Sequence, residues 1–406
     1  MKVIQINVVY PNGSTGKLVK SIHDYLVNNG ISSYVLYGRG KRIAEKNVIR
    51  FCGNFEAKLY AFINRISGLY YGSAWFSTSR LMKQIEKINP DIVDIHCING
   101  HCVNIPRLVN FLGMKKINLV VTLHAEFMYT GNCGHALECD KWINGCCNCL
   151  RLKEETHSYF LDSTGASWRQ FDKAFWALNS KNVEIVSVSP WLMERAKQSH
   201  IIGRFHHSCI YNGVNTDLFT YRVEIEPDNK QILFVTPFFT DDIYDIKGGR
   251  YLIELARLMP DYHFIVAGAF DESIDLPENV KCIGNVSNQS ALARLYSGSL
   301  VTVLLSKKET FSMVTVESLC CGTPVVGFKC GAPERIALKD YSCFFEQGDI
   351  DSIKKSIEQL CSEKIDRKTI SEESCLSYSD EIMGRKYLEL YGSIIQKQQT
   401  DNSKDK

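Results

Sequence analysis

The 406-residue chain lacks the features that mark membrane-spanning, fibrous and exported proteins. It has no run of about 20 apolar residues, so we expect no transmembrane helix. Its 27 glycines and 10 prolines are too few for a fibrous or disordered chain. Neither sign of charge dominates, since the formal net charge is +2. The first residues enter a strand pattern directly, without a long apolar stretch that ends in small residues. We therefore expect no signal peptide and a cytoplasmic protein.

Cysteine, by contrast, is abundant, with 16 residues. A secreted disulfide scaffold is usually short, so in a chain of this length we expect mostly reduced thiols. The length favours two domains, because single hydrophobic cores stop growing near about 250–300 residues. Residues 1–200 hold 24 Lys/Arg and 15 Asp/Glu, whereas the remainder holds 23 and 30. A basic first half suits an anionic partner or membrane surface, and a plain solvated face is the alternative.

Short β-branched segments alternate with amphipathic stretches, and the alternation occurs twice. In the first half, strands are predicted at VIQINVVY, SSYVLYG, DIVDIHCI, NLVVTLH and VEIVSVS. Such nearly continuous apolar strands are typical of a parallel sheet that is covered on both faces. The pattern restarts at QILFVTPF and predicts a second domain of similar plan. We therefore expect an α/β protein with two Rossmann-like, doubly wound domains that face each other across a cleft.

The segment most informative about chemistry runs from Glu309 to Glu317, after the predicted strand SLVTVLLS. Residues 310–312 open a predicted helix that ends at Gly322. The free N–H groups at such a helix start form a site for a diphosphate. Glu309 would lie level with a sugar, and Glu317, about two turns into the helix, would reach ribose hydroxyls. The alternative is a pair of ordinary helix carboxylates.

Six motifs, in family order, resemble those of retaining glycosyltransferases of family four, which have the GT-B fold. The Glu-x7-Glu segment is accompanied by VTLHAEF, SVSPWLMERAKQS, CIYNGVNTDLF, DIKGG and GTPVVGFKCGAPE. Each motif is weak alone, but their shared order is specific and covers nearly the whole chain. The branch that the chain resembles contains colanic-acid and other exopolysaccharide-type glycosyltransferases.

The resemblance implies a role for each matching residue. Glu309 would contact the donor sugar, Lys247 would neutralise the departing diphosphate, and His124 would lie against the donor sugar and the reacting carbon. Glu317 would bind the nucleotide ribose. The other donor-site candidates are Gly13, Gly16, Thr310, Phe311, Ser312, Met313 and Asn212. The anomeric configuration is expected to be retained by same-face attack, so we assign no enzyme nucleophile and expect no catalytic cofactor.

One position departs from the family pattern. Many members have an arginine after the first strand of the second domain, where it pairs with the diphosphate. Here Pro237 occupies that region, and no arginine lies between Gln231 and Lys247. Diphosphate stabilisation would then depend on Lys247 and helix dipoles, or on Arg250.

The resemblance also implies the domain order. We expect an acceptor-binding domain over 1–207, a nucleotide-sugar-binding domain over 208–378, and a helix over 379–396 that crosses back onto the first domain. Residues 397–406 are expected to form a disordered tail. The implied partners are a nucleotide-sugar donor and a glycan or lipid-linked acceptor used in cell-surface polysaccharide synthesis.

An aromatic and basic stretch over 55–83 has two interpretations. It is either an interfacial helix that contacts membrane lipid or an internal helix with an aromatic core face. The first interpretation would give peripheral contact with the inner face of the membrane through the basic first domain.

Five cysteines fall within a segment of 17 residues. Four of them are the candidate metal ligands Cys133, Cys139, Cys146 and Cys149, and Cys147 lies beside them. Their spacing fits a structural zinc site that would pin the irregular loop after His124. An iron–sulfur cluster and plain reduced thiols are the alternatives.

Other features of the sequence suggest different functions. The segment 38–44 carries half of a dinucleotide fingerprint, but Ile43 stands where a small residue is needed, which argues against a dehydrogenase. Asp241, Asp242 and Asp245 form a loop that we interpret as solvated rather than metal-binding. A nucleotide-sugar epimerase of the same fold and a non-catalytic sugar-binding or nucleic-acid-binding protein remain alternatives. No nucleic-acid partner is expected, because basic residues are not concentrated around the cysteines.

Overall fold

The computed structural model describes the backbone of residues 1–404 and the side chains of residues 1–400. The chain divides into two compact units. The first unit comprises Met1–Tyr211 together with the residues from Met383 onward, and the second comprises Asn212–Ile382. Within the described residues, no helix is both long and apolar enough to cross a membrane.

The first unit is built on a seven-stranded sheet in which every neighbouring pair is parallel. Its strands are β1 (Lys2–Asn7), β2 (Ser32–Tyr37), β3 (Val48–Arg50), β4 (Ile92–Ile95), β5 (Asn118–Leu123), β6 (Val183–Ser187) and β7 (His206–Cys209). The spatial order is β3-β2-β1-β4-β5-β6-β7. All residues of β4, β5 and β6 are buried, as their continuous apolar runs predict.

Helices connect these strands. They are α1 (Ser14–Asn28), α2 (Asn54–Ser67), α3 (Trp75–Ile88), α4 (Ile105–Met114), α5 (Thr164–Trp176) and α6 (Pro190–Gln198). Strand–helix–strand alternation around a parallel sheet is the Rossmann-like plan that the sequence predicts. The predicted 55–83 helix is in fact two helices, α2 and α3, because Gly68 adopts a left-handed conformation that ends α2.

The second unit repeats the plan with six parallel strands. They are β8 (Asp228–Phe239), β9 (His263–Phe270), β10 (Val280–Cys282), β11 (Ser299–Leu304), β12 (Val325–Phe328) and β13 (Ser342–Phe345), in the order β10-β9-β8-β11-β12-β13. Its helices are α7 (Gly249–Leu258), α8 (Gln289–Ser297), α9 (Met313–Cys320), α10 (Pro333–Ile336), α11 (Ile350–Ser362) and α12 (Arg367–Tyr378). The two Rossmann-like units confirm the predicted fold class.

The last helix, α13 (Asp380–Lys404), carries the chain from the second unit back into the first. Tyr387 and Tyr391 on it are buried and bond to side chains of the first sheet. The prediction of a disordered tail over 397–406 is wrong for residues 397–404, which continue the helix. No glycine or proline interrupts them, so the helix propagates, and Asn118 donates to Gln398 at 3.0 Å. Residues 405 and 406 lie outside the described residues.

Candidate active site

Lys247 is positioned by a turn that only glycine permits. Gly248 has a φ of +80°, and a Cβ there would lie 2.1 Å from the carbonyl oxygen of Leu305 on the neighbouring segment. The Asp245 carboxylate accepts hydrogen bonds from the N–H groups of Lys247, at 3.1 Å, and Gly249, at 3.3 Å. The Lys-Gly-Gly sequence therefore lets the chain turn tightly into α7 beside the end of β11.

Glu309 is positioned by a short bridge between two loops that follow neighbouring strands. Its N–H donates to the carbonyl of Cys330 at 2.8 Å, and its carbonyl accepts from Ala332 at 3.1 Å. It lies after β11, in the segment that leads into α9. The backbone thus places the Glu309 carboxylate at the carboxyl edge of the sheet, where ligands of parallel α/β sheets bind.

The structure brings Lys247 and Glu309 together. Lys247 Nζ donates to Glu309 Oε1 at 2.7 Å, and the Ser306 hydroxyl donates to the same oxygen at 2.8 Å. The side chains are 31% and 13% exposed, respectively. Burial alone would lower the pKa of Lys247, but the Glu309 carboxylate, with a smaller contribution from Asp245, holds it above its ordinary value. The site therefore keeps a protonated amine beside a carboxylate.

The predicted anion site at the start of α9 has the expected local structure. Thr310, Phe311 and Ser312 are buried, and Met313 is the first helical residue. The Ser312 hydroxyl accepts from the N–H of Thr315 at 3.2 Å and caps the helix. Ser312 has a φ of +78°, a conformation rare for residues other than glycine. The N-terminus of α9 thus directly follows Glu309 in the same unit.

Glu317 lies in α9 and is held by a tyrosine from the preceding helix. The hydroxyl of Tyr296, a fully buried residue of α8, donates to Glu317 Oε2 at 3.0 Å. The carboxylate contributes to raising the pKa of Tyr296 well above its ordinary value, although burial is the larger cause. Tyr296 therefore remains a neutral donor that orients Glu317.

In the first unit, the glycine loop joins β1 to α1. Gly13 precedes α1 with a φ of +75°, and a Cβ on Gly16 would lie 3.2 Å from the carbonyl oxygen of Val9. The buried amide of Asn7 donates to the carbonyl of Val9 at 2.8 Å and accepts from the N–H of Cys97 at 3.0 Å. The loop therefore lies tightly against the carboxyl end of β1.

His124 follows β5 at the same edge of the sheet and contacts a second histidine. His124 Nε2 lies 3.2 Å from Nδ1 of the fully buried His96, and His96 Nε2 lies 3.4 Å from Asp94 Oδ2. Asp94 accepts in turn from Thr122 at 2.9 Å and from Tyr391 at 2.6 Å. Strand β4 and helix α13 thus support the orientation of His124 through this chain of side chains.

Burial sets the protonation of this chain. It lowers the pKa of His96 and of His124 to about 3, with His96 adding to the shift of His124. Burial also raises the pKa of Asp94 to about 7, against the hydrogen bonds from Tyr391 and Thr122. Between about pH 4 and 6.5 the unfolded histidines bind protons that the folded ones do not, so acid destabilises the fold. Asp94 acts in the opposite direction, because its folded form binds a proton in that range and its unfolded form does not.

The remaining candidates lie in different settings. Asn212 is buried at the first position of the second unit. Pro237 lies in β8 where the register with β9 shifts, a place in a strand that tolerates proline. Arg250 is exposed. Asp242 accepts from the N–H of Tyr244 at 2.8 Å, as a turn residue does.

The four predicted zinc ligands, together with Cys147, line one surface cavity of about 540 Å³ in the first unit. Among the described residues, no group of three His, Cys, Asp or Glu side chains is already arranged to hold a metal ion. All four of these cysteines are free thiols. Trp142 packs, fully buried, beneath the loop, with Arg195 stacked 4.9 Å from its ring centre.

Sequence reasoning missed several residues of these sites. Ser306 and Tyr296, which hold Glu309 and Glu317, carried no signal that distinguishes them from ordinary polar side chains. Asp94 and His96 did carry such a signal, because two ionisable residues two positions apart in an otherwise apolar predicted strand are unusual. Both side chains are fully buried in the structure.

The chain is similar to known glycosyltransferases. Residues 223–375 match the family model of glycosyl transferases group 1. The chain is 21% identical, over 97% of its length and 100% of the relative, to WcaC of Escherichia coli K12, a glycosyl transferase named for colanic acid biosynthesis. The matched family region contains Lys247, Glu309 and Glu317.

Solved structures share the fold over nearly the whole chain. Sucrose-phosphate synthase of Thermosynechococcus elongatus superposes with a TM-score of 0.68 at 13% identity, covering 98% of this chain and 100% of that one. HepE of Anabaena, in complex with UDP and glucose, gives a TM-score of 0.62 at 13% identity, with 97% and 100% coverage. The architecture is therefore that of GT-B glycosyltransferases, as the sequence motifs predict.

Proposed function

We propose that this chain, a glycosyltransferase with a group 1 domain and the GT-B fold, transfers a sugar from a nucleotide-sugar donor to a glycan or lipid-linked acceptor with retention of configuration. The observation that carries the proposal is the Lys247–Glu309 pair, which directly precedes the N-terminus of α9. A fixed cation and a helix N-terminus together suit a diphosphate leaving group. The relative WcaC is named for colanic acid biosynthesis, which supports a role in cell-surface polysaccharide synthesis.

In the proposed reaction, the bond between the sugar C1 and the diphosphate oxygen breaks while an acceptor hydroxyl attacks C1 from the same face. The hydroxyl proton passes to the departing diphosphate. Lys247 and the N–H groups of α9 stabilise the negative charge that develops on that diphosphate. Glu309 contacts the donor sugar, and Glu317, oriented by Tyr296, binds the ribose hydroxyls.

We assign the acceptor to the first unit. The glycine loop at Gly13 and Gly16, which we place between donor and acceptor, and the neutral imidazole of His124, which we place beside the reacting carbon, lie at the carboxyl edge of its sheet, where ligands of such sheets bind. The low pKa of His124 keeps its ring uncharged at neutral pH, so it acts through its dipole rather than as a cation. Asn212 belongs to the donor side in this proposal.

A membrane surface is the proposed location of a lipid-linked acceptor. Helix α2 turns an apolar stripe outward, in which Phe55 is 83% and Phe62 is 56% exposed, while its opposite face is buried. Lys58 and Arg65 flank that stripe and are exposed. Phe160, 77% exposed, belongs to the segment that bonds to the end of α2. Aromatic side chains beside basic ones suit an anionic bilayer.

The membrane proposal is tested by sedimentation with vesicles that contain anionic lipid. Serine in place of Phe55, Phe62 and Phe160 is expected to abolish binding. The matched control replaces Leu376, an equally exposed apolar residue of α12 in the second unit, and should bind as the parent does. Equal vesicle binding by the triple variant would overturn the membrane contact while leaving the transferase proposal intact.

The first experiment on function is a thermal-shift screen against UDP-, GDP-, ADP- and dTDP-sugars and the matching nucleoside diphosphates. A rise in melting temperature with one base, lost in Glu317→Gln, is the expected result. NMR then determines the anomeric configuration of the sugar in the product made from that donor. The same configuration in product and donor, axial or equatorial, establishes retention. Inversion would contradict the proposed mechanism. Epimerised donor sugar without acceptor would instead support the nucleotide-sugar epimerase.

A further inference from the structure

The loop between His124 and α5 has little regular structure of its own. Across residues 125–163 the structure contains only two short helical turns, Lys141–Ile143 and Leu152–Thr156. The fully buried carboxylate of Glu126 holds the beginning of the loop. It accepts from Arg195 Nε at 2.6 Å and from the N–H of Ala136 at 2.7 Å. This network reaches Ala136, between Cys133 and Cys139, and further along the buried Trp142 anchors the loop through its carbonyl, which accepts from Trp168 Nε1 at 3.0 Å.

The cysteines are concentrated in this loop and face one another. Cys133, Cys139, Cys146 and Cys149 all line the same cavity. The thiols of Cys133 and Cys149 lie within interaction distance of each other. Cys146 lies close enough to Cys139 and Cys149 to interact with both electrostatically. Four sulfurs from a single loop thus converge on one region, and all four are free thiols.

The setting of Cys146 is that of a metal-bound sulfur. Its Sγ accepts a hydrogen bond from the N–H of Gly131 at 3.2 Å. A Cβ on Gly131 would lie 2.9 Å from the Cβ of Cys146, and one on Gly165 would lie 2.7 Å from its carbonyl oxygen. Two glycines therefore leave room for this cysteine, and one of them donates to its sulfur. Backbone N–H groups that donate to sulfur stabilise thiolate ligands.

Positive charge is also available around the cavity. Lys141 Nζ donates to the carbonyls of Cys147, at 3.1 Å, and Asn148, at 2.8 Å, and so holds the Cys-Cys-Asn-Cys turn. Arg151 lines the same cavity. The lining also contains Glu138 and Asp140, so the two cations do not by themselves balance the net charge of −2 that a zinc ion with four thiolates carries.

We propose that Cys133, Cys139, Cys146 and Cys149 bind one structural Zn²⁺ that cross-links the loop after His124. On binding, each coordinating thiol loses its proton to solvent and forms a Zn–S bond. The thiols must approach one another from their present positions, since no three of them are yet arranged around a common point. The Cys-x2-Cys end and two further cysteines match the ligand pattern of closed, tetrahedral zinc sites. We assign Cys147 no role as a zinc ligand, because it lies in the turn between the ligands Cys146 and Cys149.

The proposal is tested by metal analysis of the full chain, purified with reductant and zinc supplied during expression. The expected result is about one zinc per chain, retained through gel filtration. Cys147→Ser is the matched control and should keep its zinc. Cys146→Ser combined with Cys149→Ser should lose it and melt at a lower temperature. Because the parent protein is itself measured, misfolding of the variant does not decide the outcome.

Three results would overturn the proposal. The first is parent protein without zinc that also fails to retain added ZnCl₂. The second is iron with acid-labile sulfide in place of zinc, which would indicate an iron–sulfur cluster. The third is an intact mass lower by two hydrogen atoms per cysteine pair in freshly purified protein, which would indicate disulfides. None of these results depends on the donor or on the reaction, so the site can fail independently of the proposed function.

Discussion

Replacing Lys247 by methionine tests the proposed leaving-group stabilisation directly. Methionine keeps most of the side-chain volume and removes the charge. At about 4 Å, an ammonium and a phosphate oxygen attract each other by about 4 kcal/mol in a partly buried site with an effective dielectric constant near 20. Lys247 is 31% exposed, so solvent reduces this value. We expect a remaining loss of about 3 kcal/mol in the transition state, which is roughly a 100-fold decrease in kcat.

The assay measures release of the nucleoside diphosphate at saturating donor and acceptor. Lys329→Met is the matched control in the same unit. Lys329 also pairs with a carboxylate, that of Glu346 at 2.6 Å, but both side chains are at least half exposed. An exposed pair of this kind contributes little, and kcat should stay at the parental value. Circular dichroism and melting temperature establish that each variant is folded.

The result that would refute the reasoning is a Lys247→Met enzyme whose kcat lies within about threefold of the parent, since a lost transition-state charge contact costs far more. Glu309→Gln, combined with Lys247→Met, adds a second check. If the two groups act on the same transition state, their effects on kcat will not add. Additive effects would mean that the two groups act independently on kcat despite their 2.7 Å contact.

Two further predictions concern stability. Gly248→Ala should lower the melting temperature, because the new Cβ would lie 2.1 Å from a carbonyl oxygen and the residue has a φ of +80°. The control is Gly392→Ala in α13, where a Cβ would meet open space, and it should be neutral or stabilising by about 0.5–1 kcal/mol. Asp94→Asn should make the loss of unfolding free energy between about pH 6 and 4 roughly twice as steep for the contribution of these three side chains, because the proton uptake of His96 and His124 on unfolding then lacks the opposing titration of Asp94. Urea unfolding at several pH values measures this, and an unchanged slope would contradict the protonation states assigned to the three side chains.

The fold could be predicted from the sequence because it depends on local patterns. Continuous apolar runs in β4, β5 and β6 require burial on both faces, and amphipathic helices between them supply the cover. The sequence patterns did not predict the edge strands β3 and β7. They have only three and four residues, and the HHSC of β7 has no apolar run to distinguish it from a turn. The predicted disordered tail was also wrong over residues 397–404, because polar residues without a breaker extend a helix without needing a core.

The candidate site was only partly predictable. The Glu-x7-Glu spacing predicted where the two carboxylates stand relative to α9, since both lie on one segment. The spacing did not predict which side chains hold these two carboxylates. Tyr296 reaches Glu317 from another helix, and Lys247 reaches Glu309 from the turn before α7. Ser306 lies three residues before Glu309 in the same loop, but nothing in the sequence marks it as a partner. Contacts between segments depend on strand order, and the sequence does not state that order.

The sequence by itself determined two parallel α/β units, the glycine turn before α7, and the positions of Glu309 and Glu317 relative to α9. Each of these follows from residues close together along the chain. Only the tertiary structure decided that Asp94, His96 and His124 form one buried chain supported by Tyr391, and that Cys146 lies between two glycines. The reason is physical: burial shifts a pKa and tight packing admits only glycine, and both depend on neighbours that folding brings from distant parts of the chain.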